Sequence, residues 1–277
     1  MSTVEAPIEK EMIYFVEQSH CKKCLFILQF ADGFGMMNKN YTLKEISIVI
    51  PVYNEEDVLP GFLLELEKTI KDKFGKLEII LVDDGSTDGT VNLLQKLEKN
   101  RSYTILRFKQ NQGQSAAIHH GVGNARYPVV ATLDADGQND PCNIADLAFH
   151  LREGRAVCGF RAKRKDYFIR KFFSIVARKL LNLAGGVRAL DPGCTLKVFY
   201  KKDFLRLPFF NGMHRFIPYL FHQNGIELIQ KEVNHRSRLA GKSKYKLWSR
   251  TFRVAFDIFG LFWLRKRAVP YYKVIKK

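Results

Sequence analysis

Ile46-Ser-Ile-Val-Ile50 runs directly into Pro51-Val-Tyr-Asn-Glu-Glu56, a short β-branched run followed by a polar turn with two carboxylates. The arrangement recurs twice. Leu77-Glu-Ile-Ile-Leu-Val82 ends on Asp83-Asp-Gly-Ser-Thr-Asp-Gly89, and Val129-Val-Ala-Thr-Leu133 ends on Asp134-Ala-Asp-Gly-Gln138. Between these runs the patterning predicts helices over 56–72 and 88–99, a strand over 103–108 and a helix from Gln114. Strands alternating with helices at this spacing indicate a parallel sheet wound with helices, an α/β fold. Ligands of such sheets bind beyond the carboxyl ends of the strands. All three acidic clusters fall there.

Each cluster has a plain reading and a chemical one. The first lacks the G-x-G-x-x-G that a nicotinamide-binding turn needs, which removes that class. Asn54 there reads equally as a helix cap, with Glu55 and Glu56 favouring the helix dipole. In the second, Asp83 and Asp84 repel one another unless a donor offsets them, and a base N–H or a ribose hydroxyl supplies one. Asp88 reads as the cap of the next helix. In the third, Asp134 and Asp136 leave a buried strand two residues apart. They can converge on one hard cation, Mg2+ or Mn2+, that keeps phosphate oxygens as further ligands.

The 277 residues are 46% apolar and 26% charged, which excludes wholesale disorder. The net charge of +17 is unevenly placed. Residues 158–202 hold twelve Lys/Arg against two acids, residues 231–277 fourteen against two, and the rest is mildly acidic. Clustered cations of this kind fit a polyanion or an anionic membrane. The five cysteines are an odd number and no secretory signal is evident, so a reducing cytosolic compartment is expected. Cys21-Lys-Lys-Cys24 has no second ligand pair at similar spacing and is not read as a metal site. The longest apolar run, Val254 to Leu264, is interrupted by Asp257 and falls short of the about 18 residues a spanning helix needs.

Three regions are expected: an amino-terminal appendage over 1–44, loosely ordered, a catalytic domain over 45–240, and a basic amphipathic segment over 241–277. The last contains Trp248, Phe252, Phe256, Phe259, Phe262 and Trp263 beside Arg250, Arg253, Arg265, Lys266 and Arg267. Basic helices with aromatics lie at the headgroup level of a membrane, while the alternative is a buried core or oligomer seam. The stretch 170–183 has a similar mixture. Arg161, Arg170, Arg238, Lys242 and Lys244 are candidates for gripping phosphates. His214, His222 and His235 show no metal spacing, and His214 and His235 are expected to be pocket or core residues.

The order PVYNE, VDDGSTDGT, NQGQSAAIHHG, DADGQNDP resembles family 2 glycosyltransferases of the GT-A fold, and more narrowly the dolichyl-phosphate mannose synthases and polyprenyl-phosphate glycosyltransferases. The likeness continues through Cys158-Gly-Phe-Arg161, Asp191-Pro-Gly-Cys-Thr-Leu-Lys-Val-Phe199, Asn211-Gly-Met-His-Arg-Phe216 and Gly241-Lys-Ser-Lys-Tyr245, about residues 45–250. It implies that Pro51, Tyr53, Glu55, Asp83 or Asp84, Gln114 and Asp134 hold a nucleotide-sugar. It also implies that Asp134, Asp136 and Gln138 surround Mg2+ or Mn2+. Arg161 and the 238–244 stretch are implied to lie near donor and acceptor phosphates. Gly137 departs from the pattern, since a larger apolar residue often stands there. The pair of carboxyl-terminal membrane helices common in bacterial relatives is missing from the sequence, so peripheral contact with the cytoplasmic face of the inner membrane is expected.

The expected reaction moves a sugar from a UDP- or GDP-sugar to polyprenyl phosphate with inversion. Asp136, Asp191 and Arg161 are its expected chemical centre, Asp191 as weak base or as organiser of Arg161. A hydroxyl acceptor and a catalytically inactive membrane partner are the rival readings. Nucleic-acid binding, suggested by the isoelectric point of 9.7, leaves the three acidic strand ends unexplained.

Overall fold

The computed structural model describes residues 45–99, 103–162, 179–236 and 247–267, leaving aside the side chains of 247–255 and 257. The expected 1–44 appendage, together with Cys21 and Cys24, lies outside them. In chain order the elements are β1 (Glu45–Val52), α1 (Leu59–Ile70), β2 (Lys76–Asp83), α2 (Thr90–Lys99), β3 (Thr104–Arg107), α3 (Gln114–Asn124), β4 (Val129–Thr132), α4 (Asn143–Phe149) and β5 (Arg155–Phe160). There follow β6 (Lys197–Tyr200), α5 (Lys201–Phe204), a 3-10 turn (Met213–Arg215), α6 (Ile217–Gln223), β7 (Glu227–Glu232) and α7 (Leu247–Arg267).

The seven strands pair in the order β3-β2-β1-β4-β6-β5-β7. Strands β3, β2, β1 and β4 are mutually parallel, β6 runs antiparallel to both β4 and β5, and β7 is parallel to β5. The outgoing ends of β1, β2, β4, β5 and β7 therefore share one rim with the incoming end of β6. That rim is where the site must lie.

Alternation along the strands explains why both faces are covered. Ile46, Ile48, Ile50 and Val52 enter one apolar layer with Ile79 and Leu81, while Val49, Ile80 and Val82 enter the opposite one. A strand apolar on both faces is the mark of a parallel sheet buried by helices. Helix α1 presents Leu59, Phe62, Leu63, Leu66 and Ile70 to the first layer at helical spacing, and its Pro stands at the start, where no backbone donor is needed. On the other face α3 is built from small residues. A Cβ on Gly121 would come within 2.4 Å of Val49 Cγ1, so only glycine lets the helix lie this close to β1.

Helix α7 is anchored by its own core residue. Leu261 is buried in the same apolar cluster as Phe216, Tyr219 and Phe221, with Ile258 packed against that cluster. Phe256, Phe259 and Trp263 point outward, at 76%, 70% and 54% exposure. No helix among the described residues is long and apolar enough to cross a membrane.

Candidate active site

The turn after β1 is fastened to the turn after β2. Asn54 adopts a left-handed φ of 54° and is not a helix cap, since α1 starts only at Leu59. Its backbone N–H donates to Ser86 Oγ at 3.0 Å, and its side-chain oxygen accepts from Thr87 N–H at 2.8 Å. Glu55 N–H donates to Thr90 Oγ1 at 2.9 Å, and Glu56 Oε2 accepts from Gly89 N–H at 2.6 Å. Asp88 Oδ1 accepts from Thr90 N–H at 3.0 Å, a turn that leads into α2. Pro51 stands in register with Val82, one residue before Asp83, and the Tyr53 ring at the rim is 39% exposed.

The two carboxylates after β2 face different partners. Asp83 Oδ1 accepts from Ser86 N–H at 2.8 Å while Oδ2 lies 3.6 Å from Arg107 Nε. Asp84 reaches the loop before α3, taking Gln112 N–H at 2.7 Å and Gly113 N–H at 2.9 Å on its other oxygen. Burial pushes the Asp84 pKa up, and those two backbone donors pull against it. Gly113 has a φ of 90°, a conformation costly for other residues, and it turns the chain into α3.

The next residue closes the circuit. Gln114 Nε2 donates to Asp134 Oδ1 at 2.6 Å, and Thr195 Oγ1 donates to Asp134 Oδ2 at 2.9 Å. Asn139 Nδ2 donates in turn to Thr195 Oγ1 at 3.0 Å. Burial, with Asp136 as a like charge nearby, pushes the Asp134 pKa up to about 6. Asp136 is 8% exposed, and its Oδ1 accepts from Gln138 N–H at 3.1 Å. The buried Lys197 donates to the Cys194 carbonyl. Residues 234–236 brace the far side of this turn, through Arg236 N–H to the Gln138 carbonyl at 3.0 Å and the Arg236 guanidinium to Asp140 at 3.1 Å.

Past β5, Arg161 forms a fork with Asp191. Nε lies 2.5 Å from Oδ2 and Nη2 lies 3.0 Å from Oδ1, with the Arg161 backbone N–H also on Oδ2 at 3.3 Å. Burial works against the charged guanidinium, but the Asp191 pair outweighs it and leaves the Arg161 pKa raised. Asp134 also acts on Arg161 across the site.

The structure therefore brings Asp83, Asp84, Gln114, Asp134, Asp136, Gln138, Arg161 and Asp191 to one rim with Tyr53 and Glu55. Arg170, Arg238, Lys242 and Lys244 lie outside the described residues. Thr195 and Asn139, which orient Asp134, were missed by the sequence reading. Their only local signal is proximity to the two motifs. Among the described residues no three His, Cys, Asp or Glu side chains converge as a closed metal cage. Two carboxylates and an amide suit a hard cation whose other ligands are water and phosphate oxygens, so the donor set fits Mg2+ or Mn2+ bound with a nucleotide.

This sheet, with acidic strand ends gathered along one rim, is the GT-A arrangement of a glycosyltransferase. More narrowly, the chain belongs to the glycosyl transferase family 2, whose model matches residues 47–206. The dodecaprenyl-phosphate galacturonate synthase of Rhizobium johnstonii is 35% identical over 236 residues, 82% of this chain and 69% of that protein. The undecaprenyl-phosphate 4-deoxy-4-formamido-L-arabinose transferase of Aeromonas hydrophila is 36% identical over 212 residues, 75% of this chain and 65% of that protein. The chain thus spans about two thirds of the length of these curated relatives.

Among solved structures, glucosyl-3-phosphoglycerate synthase from Mycobacterium tuberculosis, with Mn2+, uridine diphosphate and glucosyl-3-phosphoglycerate, gives a TM-score of 0.60 over 80% of each chain at 19% identity. A mannosyltransferase from Pyrobaculum calidifontis, in complex with GDP-Man and Mn2+, gives 0.55 over 83% of this chain and 71% of that one at 17% identity. At such identities the likeness is one of fold.

Proposed function

We propose that the chain moves a glycosyl group, with inversion, from a UDP- or GDP-sugar to a polyprenyl phosphate of undecaprenyl or dolichyl type at a membrane surface. The observation that carries this reading is the bridge formed by Gln112, Gly113 and Gln114. One three-residue segment grips Asp84 beyond β2 and Asp134 beyond β4, which supports a single binding site at that rim. The names of the relatives support the acceptor class.

Bound Mg2+ or Mn2+ would be held by Asp136, Asp134 and Gln138 and would offset charge developing on the leaving diphosphate. Gln114 and Thr195 keep Asp134 in a single orientation, so little reorganisation is needed when donor enters. A lipid phosphate is already anionic near neutral pH, its second pKa lying near about 6, and needs no strong base to attack the anomeric carbon. That suits Asp191, both of whose oxygens are engaged by Arg161. Asp191 acts as the organiser of a fixed cation rather than as a proton acceptor.

The acceptor's isoprenoid has an apolar place to lie. A groove of roughly 420 Å³ runs between the 208–216 loop and α7, lined by Phe209, Phe210, Phe216, Phe256, Leu261 and Trp263. Arg265, Lys266 and Arg267 end the same helix and suit anionic headgroups.

The test is incubation with a panel of UDP- and GDP-sugars, polyprenyl phosphate and Mn2+ or Mg2+, followed by mass spectrometry of the lipid. A glycosyl-phospholipid product is expected. Donor turnover that glycosylates only hydroxyl acceptors would overturn the acceptor assignment.

A further inference from the structure

The loop that walls the apolar groove is tied by one residue to the helix that holds the acidic pocket. Ser115, the second residue of α3, is 1% exposed. Its Oγ accepts from Gly212 N–H at 3.1 Å and from His214 N–H at 3.2 Å, and lies 2.7 Å from His214 Nδ1. The accounting fixes the tautomer. A serine hydroxyl has one proton and two acceptor sites, and both acceptor sites are taken by backbone donors. The hydroxyl proton therefore goes to Nδ1, which accepts it, and the ring proton resides on Nε2. A doubly protonated ring would aim a third donor at the same oxygen. Burial, reinforced by Arg215 and Lys197, pushes the His214 pKa down to about 3, in accord with a neutral ring.

The neighbours of this contact give it a purpose. Immediately before Ser115, Gln114 grips Asp134 and Gly113 grips Asp84. On the other flank of the same loop, Phe210 and Phe216 line the groove against α7. The Ser115–His214 contact thus joins the donor side of the pocket to its apolar side.

We infer that His214 is a positioning residue for the transfer reaction: through Ser115 it sets the 208–216 loop, and with it the acceptor groove, in register with the acidic pocket. This rests on the lipid-acceptor reading above. The first turn of α3 has its own anchors in Asp84 and Asp134, so loss of the His214 ring removes one of the three Ser115 contacts that set the loop and leaves the donor side in place.

The experiment compares the full chain with His214→Ala, His214→Asn, Ser115→Ala and the double variant. It measures KM for polyprenyl phosphate, kcat, thermal midpoint, and Kd for the nucleoside diphosphate with Mn2+. In His214→Ala, kcat is expected to fall and the acceptor KM to rise, each on the order of tenfold, as a displaced substrate-positioning element allows. The nucleotide Kd should stay within about twofold, since its anchors are untouched. His214→Asn, which keeps an acceptor for the Ser115 hydroxyl, should recover most of the loss. Ser115→Ala, which removes all three contacts, should show the same kinetic split at least as strongly as His214→Ala, with the double variant no worse than the poorer single. Unchanged acceptor kinetics, a nucleotide Kd that weakens in parallel with the thermal midpoint, or no recovery by asparagine would each overturn the inference. A wild-type chain that binds nucleotide but glycosylates no polyprenyl phosphate overturns the functional reading and the inference together.

Discussion

Arg161 and Asp191 meet in a two-point contact, Nε on Oδ2 at 2.5 Å and Nη2 on Oδ1 at 3.0 Å, with both side chains largely withdrawn from water. Lysine carries the charge but not the planar fork. Arg161→Lys should therefore lower kcat by about tenfold or more while leaving nucleotide binding close to wild type. Asp191→Asn leaves a cation without its partner and should cost roughly 3 kcal/mol in urea denaturation. Its residual activity should keep the wild-type pH profile. A profile that loses its acidic limb would mark Asp191 as a proton acceptor instead.

Asp136→Ala should reduce turnover by about three orders of magnitude, the effect of losing several kcal/mol of transition-state charge stabilisation. Chelator should do the same to the wild type, and Mn2+-dependent nucleotide binding should vanish in the variant by calorimetry. Retained metal-dependent turnover would remove Asp136 from the site.

Thr195→Val deletes the hydroxyl that holds Asp134 Oδ2 while keeping the residue's shape. Loss of a group that orients a metal-facing carboxylate weakens metal affinity about tenfold or more, and calorimetric titration with Mn2+ and nucleotide should register that change. Equal affinity in the two proteins would mean that Thr195 merely fills space.

His214 gives stability a pH dependence of definite sign. Its folded pKa, about 3, lies below the unfolded value of 6.5, so the unfolded chain binds the proton first as pH falls. Stability is intact above pH 6.5 and is lost progressively towards 3. At pH 5 the loss from this one group should be about 2 kcal/mol, and His214→Asn should lack it. Urea midpoints at pH 7 and pH 5 for the two proteins give the comparison.

Phe256→Asp with Phe259→Asp changes two exposed rings of α7 and no buried ones. Sedimentation with anionic vesicles should fall steeply in the double variant, at little cost to the thermal midpoint. Added salt should weaken the wild-type interaction too, since each cation near anionic lipid contributes on the order of 1 kcal/mol. Binding that ignores both changes would assign the face to another partner.

The sheet and its acidic rim were legible because they are written in short-range patterns. A strand of alternating layers, such as Ile46–Val52, announces itself within eight residues, and Gln114 begins its helix where the spacing predicts. What escaped is long-range. Asn54 reads as a cap in isolation, yet the fold uses it to hold Thr87, thirty-three residues away. Asp83 and Asp84 are adjacent in sequence, and only the fold shows that one carboxylate takes Ser86 N–H and the other Gly113 N–H. Thr195 reaches Asp134 only because β6 runs against β4, and strand direction leaves no mark on a four-residue strand. Helix α7 looked like a free surface element, and Leu261 shows how one apolar position fastens it to the core.

The reversal of β6 also bears on how such a protein diversifies. Because β5 runs to the rim and β6 runs back from it, the 36 residues between Phe160 and Lys197 start and end there, and the two ends are clasped together by Gly159 N–H on the Leu196 carbonyl and by Arg161 on Asp191. Arg161, Asp191 and Thr195 stand near those ends, so the sequence between them can vary while these three residues and the turns that carry Asp84 and Asp136 are kept. Variation in that one stretch is compatible with an unchanged set of contacts around Asp84 and Asp134.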